Sequence, residues 1–351
     1  MNVLFVMKHR GNAGSTHPIA ACMRLGAERG HRVAIHGEPV FWLPGLDLTK
    51  DVGAFDRVVF LYESEIWRSA RLDEAALFAT IPRQHRVLFD MDGMYNPLIR
   101  IDGYDRNHSS EEERREWFAH FDAIGDRVLK PTLTPWNDPK QVSVPFYGYD
   151  PAMVTDPAHA PPKIYDVLYV GHNWWRWREM SEVILPAIAK IRDKVGRIGF
   201  VGLWWDERPA EGLAAGPWEA FESDPEALRR AGIEVQRSVW YDQVIHTMSS
   251  ARINIFTQRP LLRHFKHLTL KYFEIFYADT IPLLMLDDDH AASVYGPAAR
   301  ELTLPGRIDE KILDALARPD HYRGLVEEVR RHLSRHHSYG RRVEELFAAL
   351  H

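Results

Sequence analysis

Apolar and polar positions along the chain fall into blocks with the lengths of buried strands and one-sided helices. Val3–Met7 is a continuous apolar run and reads as a buried first strand. The polar, glycine-containing stretch Lys8–Thr16 follows it. Ile19, Ala20, Met23, Leu25 and Ala27 then recur at helical spacing and are closed by Arg29-Gly30-His31. A short strand at Arg32–Ile35 completes a βαβ unit, the building element of a doubly wound parallel sheet. Further strands are expected at Arg57–Tyr62 and Arg86–Phe89, and the polar run Ser109–Glu116 reads as a helix start capped by Ser109 or Ser110.

Asp150–Pro162 carries four prolines and little periodicity, and so reads as a linker. After it the pattern begins again. Asp166–Val170 is a strand running into Gly171-His172-Asn173, followed by a helix through Glu179–Ile191 and a strand at Arg197–Val201 ending in Gly202. Strands at Ile253–Phe256 and Ile281–Leu286 flank a helix at Thr269–Tyr277, and Arg323–Leu350 is largely helical. The expected class is α/β, with two Rossmann-like domains at 1–155 and 163–330. A terminal helix over 331–351 closes the chain and can pack back on the N-terminal domain.

Composition narrows the function classes. A chain of 351 residues has room for two domains of about 150 each. Its 45% apolar and 26% charged content is that of an ordinary globular protein. The 44 basic and 49 acidic residues leave a net charge of −5, and Glu111–Glu113 adds a local acidic stretch. Both argue against long duplex contacts, although they do not exclude a nucleic-acid partner. A single cysteine, Cys22, allows no internal disulfide. No apolar run reaches the ~18–20 residues of a membrane span, the N-terminal run is too short for a signal core, and a cytoplasmic location is expected. The 11 tryptophans exceed what packing needs and hint at a binding cleft.

The strongest candidate chemistry is Thr269-Leu270-Lys271-Tyr272-Phe273-Glu274, followed by Ala278-Asp279-Thr280 and an aliphatic strand. Lys271 and Glu274 lie three apart on one helix face, which by itself could be a surface ion pair. With the strand behind it, the segment resembles the nucleotide-binding helix of GT-B glycosyltransferases. More closely, it resembles that of the CgeB-like group and the phage DNA β-glucosyltransferases. The resemblance implies that Glu274 accepts ribose hydroxyls and that Lys271, standing where the family has Arg, meets the diphosphate. Asp279 stands at the family's usual Gly. The strand, Gly171 and the helix carrying Arg176 and Arg178 resemble the first loop of the same donor domain. There a glycine admits the phosphate, the helix N-terminus favours an anion, and the arginines would neutralise the leaving group. Gly199–Trp205, with Gly202, and Ser238–Tyr241 match the region that reads the nucleobase. His336–Arg342 resembles the closing His-Thr-Tyr-x-x-Arg signature.

In the N-terminal half, Gly14-Ser15-Thr16-His17-Pro18 is similar to the acceptor domain of inverting GT-B enzymes, whose His deprotonates the acceptor. Asp90-Met91-Asp92-Gly93 stands where the phage enzymes carry a base Asp. His17, Asp90 and Asp92 are therefore the catalytic candidates, acting singly or as a His–Asp dyad. Lys266 occupies the position of the second Glu of retaining enzymes, which favours inversion. A helix-capping His and a turn Asp are the bland alternatives.

Asp90-Met91-Asp92 and Asp287-Asp288-Asp289 also invite a metal clamp of GT-A type. The renewed strand–Gly–helix pattern at Asp166 speaks against that single-sheet fold, and the histidines make no defensible zinc motif. Arg263-His264-Phe265-Lys266-His267 reads as a basic loop touching donor phosphate. The resulting expectation is a metal-independent glycosyltransferase without a cofactor, using a UDP- or GDP-linked sugar as co-substrate. Its acceptor would be a saccharide, natural product or surface component, and closure of a cleft between the domains would exclude water. The rivals are a DNA-base glucosyltransferase, an epimerase of the same architecture, and a non-catalytic nucleotide-sugar- or carbohydrate-binding protein.

Overall fold

The computed structural model describes residues 1–7, 14–38, 45–63, 74–95, 111–209 and 218–351. The chain folds into two compact units, whose boundaries cut across the chain order. Unit 1 contains Met1–Gly148, His264–Leu270 and His337–His351; unit 2 contains Tyr149–Arg263 and Lys271–His336. The helical caps proposed at Ser109 and Ser110, and most of the loop Lys8–Thr16, lie outside the described residues.

Unit 1 is built on a parallel sheet of seven described strands: β1 (Asn2–Val6), β2 (Arg32–His36), β3 (Leu48–Thr49), β4 (Arg57–Tyr62), β5 (Arg86–Asp90), β6 (Val128–Lys130) and β7 (Gln141–Ser143). Their order is β3-β2-β1-β4-β5-β6-β7. Helix α1 (Thr16–Ala27) makes the first crossover, and α2 (Glu74–Thr80) and α3 (Glu111–Ile124) follow. The apolar runs of the sequence become strands buried on both faces, with Leu4, Val6, Val58, Phe60 and Leu88 in the core against Phe121 and Ile124. The last helix of the chain also belongs here.

Unit 2 repeats the scheme with β8 (Tyr165–Val170), β9 (Ile198–Val201), β10 (Ile233–Gln236), β11 (Ala251–Phe256) and β12 (Ile281–Leu284), in the order β10-β9-β8-β11-β12. Its helical segments are α4 (Trp177–Glu179), α5 (Leu185–Ile191), α6 (Pro225–Arg230), α7 (Val244–Ser249), α8 (Pro260–His264), α9 (Lys271–Tyr277), α10 (Asp288–Tyr295), α11 (Ile308–Ala317) and α12 (Pro319–His336); α13 (Tyr339–Leu350) closes unit 1. A π-helical stretch, Met180–Ile184, joins α4 to α5.

In each sheet the chain winds outward one way from the first strand and then reverses. The order therefore switches between β1 and β4 in unit 1 and between β8 and β11 in unit 2. Loops beyond the carboxyl ends of strands at such a switch diverge, leaving a crevice for a ligand. The candidate residues lie on or just after the carboxyl-end loops of these strands and of their neighbours β5 and β9.

Candidate functional site

In unit 2, Val170 ends β8 and Gly171 follows at once. The Lys271 ammonium at the start of α9 donates to the Val170 carbonyl. It also lies 5.2 Å from the centroid of the Tyr169 ring. A side chain at Gly171 would run into both that ammonium and the Tyr169 hydroxyl. Gly202, at the end of β9, is under a tighter constraint, because a Cβ there would collide with the Gly171 carbonyl. Two glycines thus let the ends of neighbouring strands come together beneath Lys271.

Lys271 and Glu274 share one face of α9, and Glu274 is buried. Burial dominates both ionisations. It drives the Lys271 ammonium down to about 7, with Arg176 adding to the fall and Glu274 opposing it. It raises the Glu274 carboxyl, against the pull of Lys271 and a hydrogen bond from Tyr241. Arg176 is held across the mouth of the loop, its Nη1 donating to the carbonyls of His172 (3.0 Å) and Trp174 (3.1 Å). His172 accepts the Leu203 amide at Nδ1 (3.0 Å), so its neutral ring carries the proton on Nε2. Desolvation first, then Lys271 and Arg176, keep that ring from protonating.

The same loops are bound to each other below the surface. Asn173 donates through Nδ2 to the carbonyls of Trp204 and Glu222, both at 2.8 Å. The Trp205 indole donates to Gly171 O at 2.8 Å. Trp174, Trp175, Trp204, Ala220 and Phe221 pack as one cluster. Trp175 (φ 55°) and Trp204 (φ 68°) occupy the left-handed region, an unfavourable conformation for bulky residues that the surrounding contacts must impose. Part of the tryptophan excess is therefore scaffolding for this edge of the sheet.

The structure brings Gly171, Arg176, Gly202, Lys271 and Glu274 together but leaves Arg178 out. Arg178 projects from the next turn into an exposed pair with Glu182 (3.1 Å). In the segment expected to form a basic loop, Arg263–His267, two of the basic residues have partners or surroundings within the protein. Arg263 pairs with the largely buried Glu179 at 2.5 Å, and His267 is completely buried. Asp279, the departure from the family glycine, pairs with Lys163 at 2.7 Å. The three acids at 287–289 also have structural duties. Asp287 caps α10 by accepting the His290 amide (2.7 Å), Asp288 accepts from Thr303 (2.6 Å), and Asp289 pairs with Arg300 (2.8 Å). Among the described residues no three His, Cys, Asp or Glu side chains form a group able to hold a metal ion.

Sequence reading missed the end of β11. Thr257 and Gln258 are buried there, and Gln258 Oε1 accepts from the Tyr272 hydroxyl at 2.7 Å. Their signal was a polar pair directly after a buried strand.

In unit 1, three loops leave the adjacent strands β1, β4 and β5 at their carboxyl ends. Ser15, fully buried at the entry to α1, donates through Oγ to Glu63, the residue after β4. Glu63 went unnoticed in the sequence because it falls just past the apolar run. His17 lies on the first turn of α1, and burial lowers its pKa. Asp90 and Asp92 have different surroundings. The Asp90 carboxylate accepts the amides of Met94 and Tyr95, both at 2.9 Å, and pairs with the fully buried Lys130. Burial would raise its pKa, but Lys130, His267 and these hydrogen bonds hold it below the ordinary value. A carboxylate so occupied is a poor proton acceptor. Asp92 lies two residues on, at the turn into Gly93 (φ +74°).

Residues 178–348 match a family model described as glycosyl transferase-like. No curated protein sequence matches the chain. Among solved structures, T4 phage β-glucosyltransferase in complex with its UDP-glucose substrate superposes with a TM-score of 0.61 at 14% identity, covering 99% of this chain and 98% of that one. The same enzyme with UDP and Mn²⁺ gives 0.60 at 12% identity, covering 100% and 99%. An α-glucosyltransferase in complex with UDP and a 13-mer DNA gives 0.57 at 12% identity, covering 99% of each. The chain therefore has the GT-B fold and resembles the phage DNA glucosyltransferases over its full length.

Proposed function

We propose that this GT-B, glycosyltransferase-like chain transfers a sugar from a nucleotide-sugar donor to an acceptor hydroxyl with inversion. The observation that carries the reading is the seating of Lys271 against Val170 and Gly171, with Gly202 packed on Gly171 and Glu274 on the same face of α9, at the carboxyl edge of the second sheet. A partly buried ammonium, a buried carboxylate and close-packed backbone suit a diphosphate beside a ribose. UDP is favoured over GDP because the solved relatives named above carry UDP or UDP-glucose. Lys271 and Arg176 would stabilise the diphosphate as its bond to the anomeric carbon breaks. Glu274 would accept the ribose hydroxyls.

On the acceptor side, Asp92 or His17 would take the hydroxyl proton as the oxygen attacks. Asp90 holds the loop instead of acting as the base, since its oxygens already serve Lys130 and two amides. The reaction as proposed needs no metal or cofactor, and the acceptor is a saccharide or small molecule.

A thermal-shift series with UDP, GDP and their sugars tests the donor. Ligand at about 100 times its Kd should add about 2.7 kcal/mol of stability. UDP should raise the melting temperature of the wild type but not of Glu274→Ala, and EDTA should leave the shift unchanged. No response to any nucleotide would overturn the reading. The α-glucosyltransferase bound to a DNA 13-mer gives a DNA-base acceptor a specific standing. Duplex affinity falling steeply with salt, together with transfer to a hydroxymethylated base, would favour it.

A further inference from the structure

The chain enters unit 1 a second time over His264–Leu270, and there it meets both loops that carry the base candidates. Phe265 lies against Gly93, the neighbour of Asp92: a Cβ on that glycine would sit 3.0 Å from the Phe265 ring and 3.7 Å from His267. Leu270 lies against Gly14, just before Ser15 and His17, where a Cβ would sit 3.6 Å from its Cδ2. The segment itself is firmly seated. Leu268 donates to the Pro131 carbonyl at 2.5 Å. The Phe265 ring is 5.5 Å from that of Trp136, and the Lys130 ammonium lies 5.9 Å from the Phe265 centroid. Lys266, at φ 54°, makes the sharp bend that turns Phe265 and His267 inward. The next residue after Leu270 is Lys271, whose ammonium rests on the Val170 carbonyl.

We propose that His264–Leu270 is a positioning segment, in which Phe265 sets the loop bearing Asp92 and Leu270 the loop bearing His17 in response to the donor diphosphate at Lys271. The inference rests on the donor reading above. Its physical basis is short and continuous. A diphosphate competes with Val170 for the Lys271 ammonium, and in the proposal this exchange draws the first turn of α9 with it instead of being absorbed by the lysine side chain. Leu270 is joined to that turn by one peptide bond, and packed interiors transmit such shifts instead of absorbing them. Phe265 and Leu270 are positioning residues, acting through the loops they touch.

The test is amide hydrogen exchange on the full chain with and without saturating UDP, while UDP affinity is measured by calorimetry. Met94 and Tyr95, whose amides Asp90 accepts, report on the first loop, and His17 reports on the second. In the wild type, UDP should slow exchange at all three by about ten-fold. Phe265→Ala should abolish the response at Met94 and Tyr95, with UDP affinity within about two-fold of wild type. Leu270→Ala should abolish it at His17 and spare the other two, which keeps the test decisive if the Phe265 variant does not fold. UDP binding with unchanged exchange at these amides overturns the proposal, as does an undiminished response in both variants. If UDP does not bind the wild type, the donor reading fails and this inference falls with it.

Discussion

At Lys271 the protein keeps an ammonium where solvation no longer favours it. Its pKa of about 7 in the free protein gives the sign of a pH effect on donor affinity. A diphosphate beside it restores the charged form and raises the pKa, so the complex holds a proton that the free protein has lost above pH 7. Affinity for UDP should therefore weaken as pH rises from about 7 to 9, by up to about ten-fold per unit. Lys271→Met should bind weakly with a flat profile; calorimetry across that range checks both. The two aspartates of the β5 loop separate just as cleanly. Asp92→Asn should lose about 10²–10⁴-fold in turnover with UDP affinity retained. Asp90→Asn should instead unfold more easily, by about 3–5 kcal/mol in denaturant, because it strands the buried Lys130. The sequence showed that two acids stood after a strand. It could not show which one a lysine forty residues later would claim, because that pairing depends on β6 lying beside β5.

Strands and turns set what a residue change costs here, and the two sheet-end glycines are the sharpest case. Gly202→Ala drives a methyl into the Gly171 carbonyl, and backbone on both sides must move. UDP affinity should fall by more than about ten-fold, since the displaced carbonyl belongs to the loop under Lys271. Gly306→Ala is the control. It also has a positive φ (+85°) but open space around it, so it should cost only about 1–2 kcal/mol of stability and leave UDP binding alone. Thermal melts and UDP titrations of the two variants, side by side, decide the matter. The strong apolar blocks were legible as elements: Arg57–Tyr62 is a strand with the expected limits, and the expected Arg86–Phe89 gains only Asp90. Four strands were not. β3 has two residues and β6 and β7 three each, too short for any periodicity to register. β10 is only partly buried, so its pattern lacks the continuous apolar run of the central strands.

Over the whole molecule, the doubled strand–glycine–helix pattern made two α/β units visible, because each unit repeats local rules the chain must obey in order. What crosses between chain halves was not visible. Nothing in His264–Leu270 distinguishes it from a surface loop until Trp136 and Gly93 are placed beside it. The terminal helix was expected to begin at residue 331, but α12 runs on to His336 in unit 2 and α13 starts only at Tyr339 in unit 1, because the break at His337-Ser338 leaves no mark in the apolar pattern. α13 is amphipathic, and Val343, Leu346, Phe347 and Leu350 are buried. Phe347 stacks on His31 with centroids 4.1 Å apart, and the carbonyls of Leu350 and Ala349 accept from Arg57 and Arg127. Deleting residues 337–351 removes these four apolar side chains and the buried Tyr339, each stabilising by roughly 1.5–3 kcal/mol, and leaves the hydrogen bonds of two guanidinium groups unmade. That loss approaches the full stability of an ordinary domain, about 5–15 kcal/mol. The truncated chain should therefore melt in two stages. An early transition would belong to unit 1, and a later one, raised by UDP, to unit 2 with its own sheet and the Lys271–Glu274 face intact. A single transition with UDP response lost would show that the donor-binding unit cannot stand without α13; a single transition at the wild-type temperature would show that α13 contributes little to unit 1. Calorimetry with and without UDP distinguishes the three outcomes.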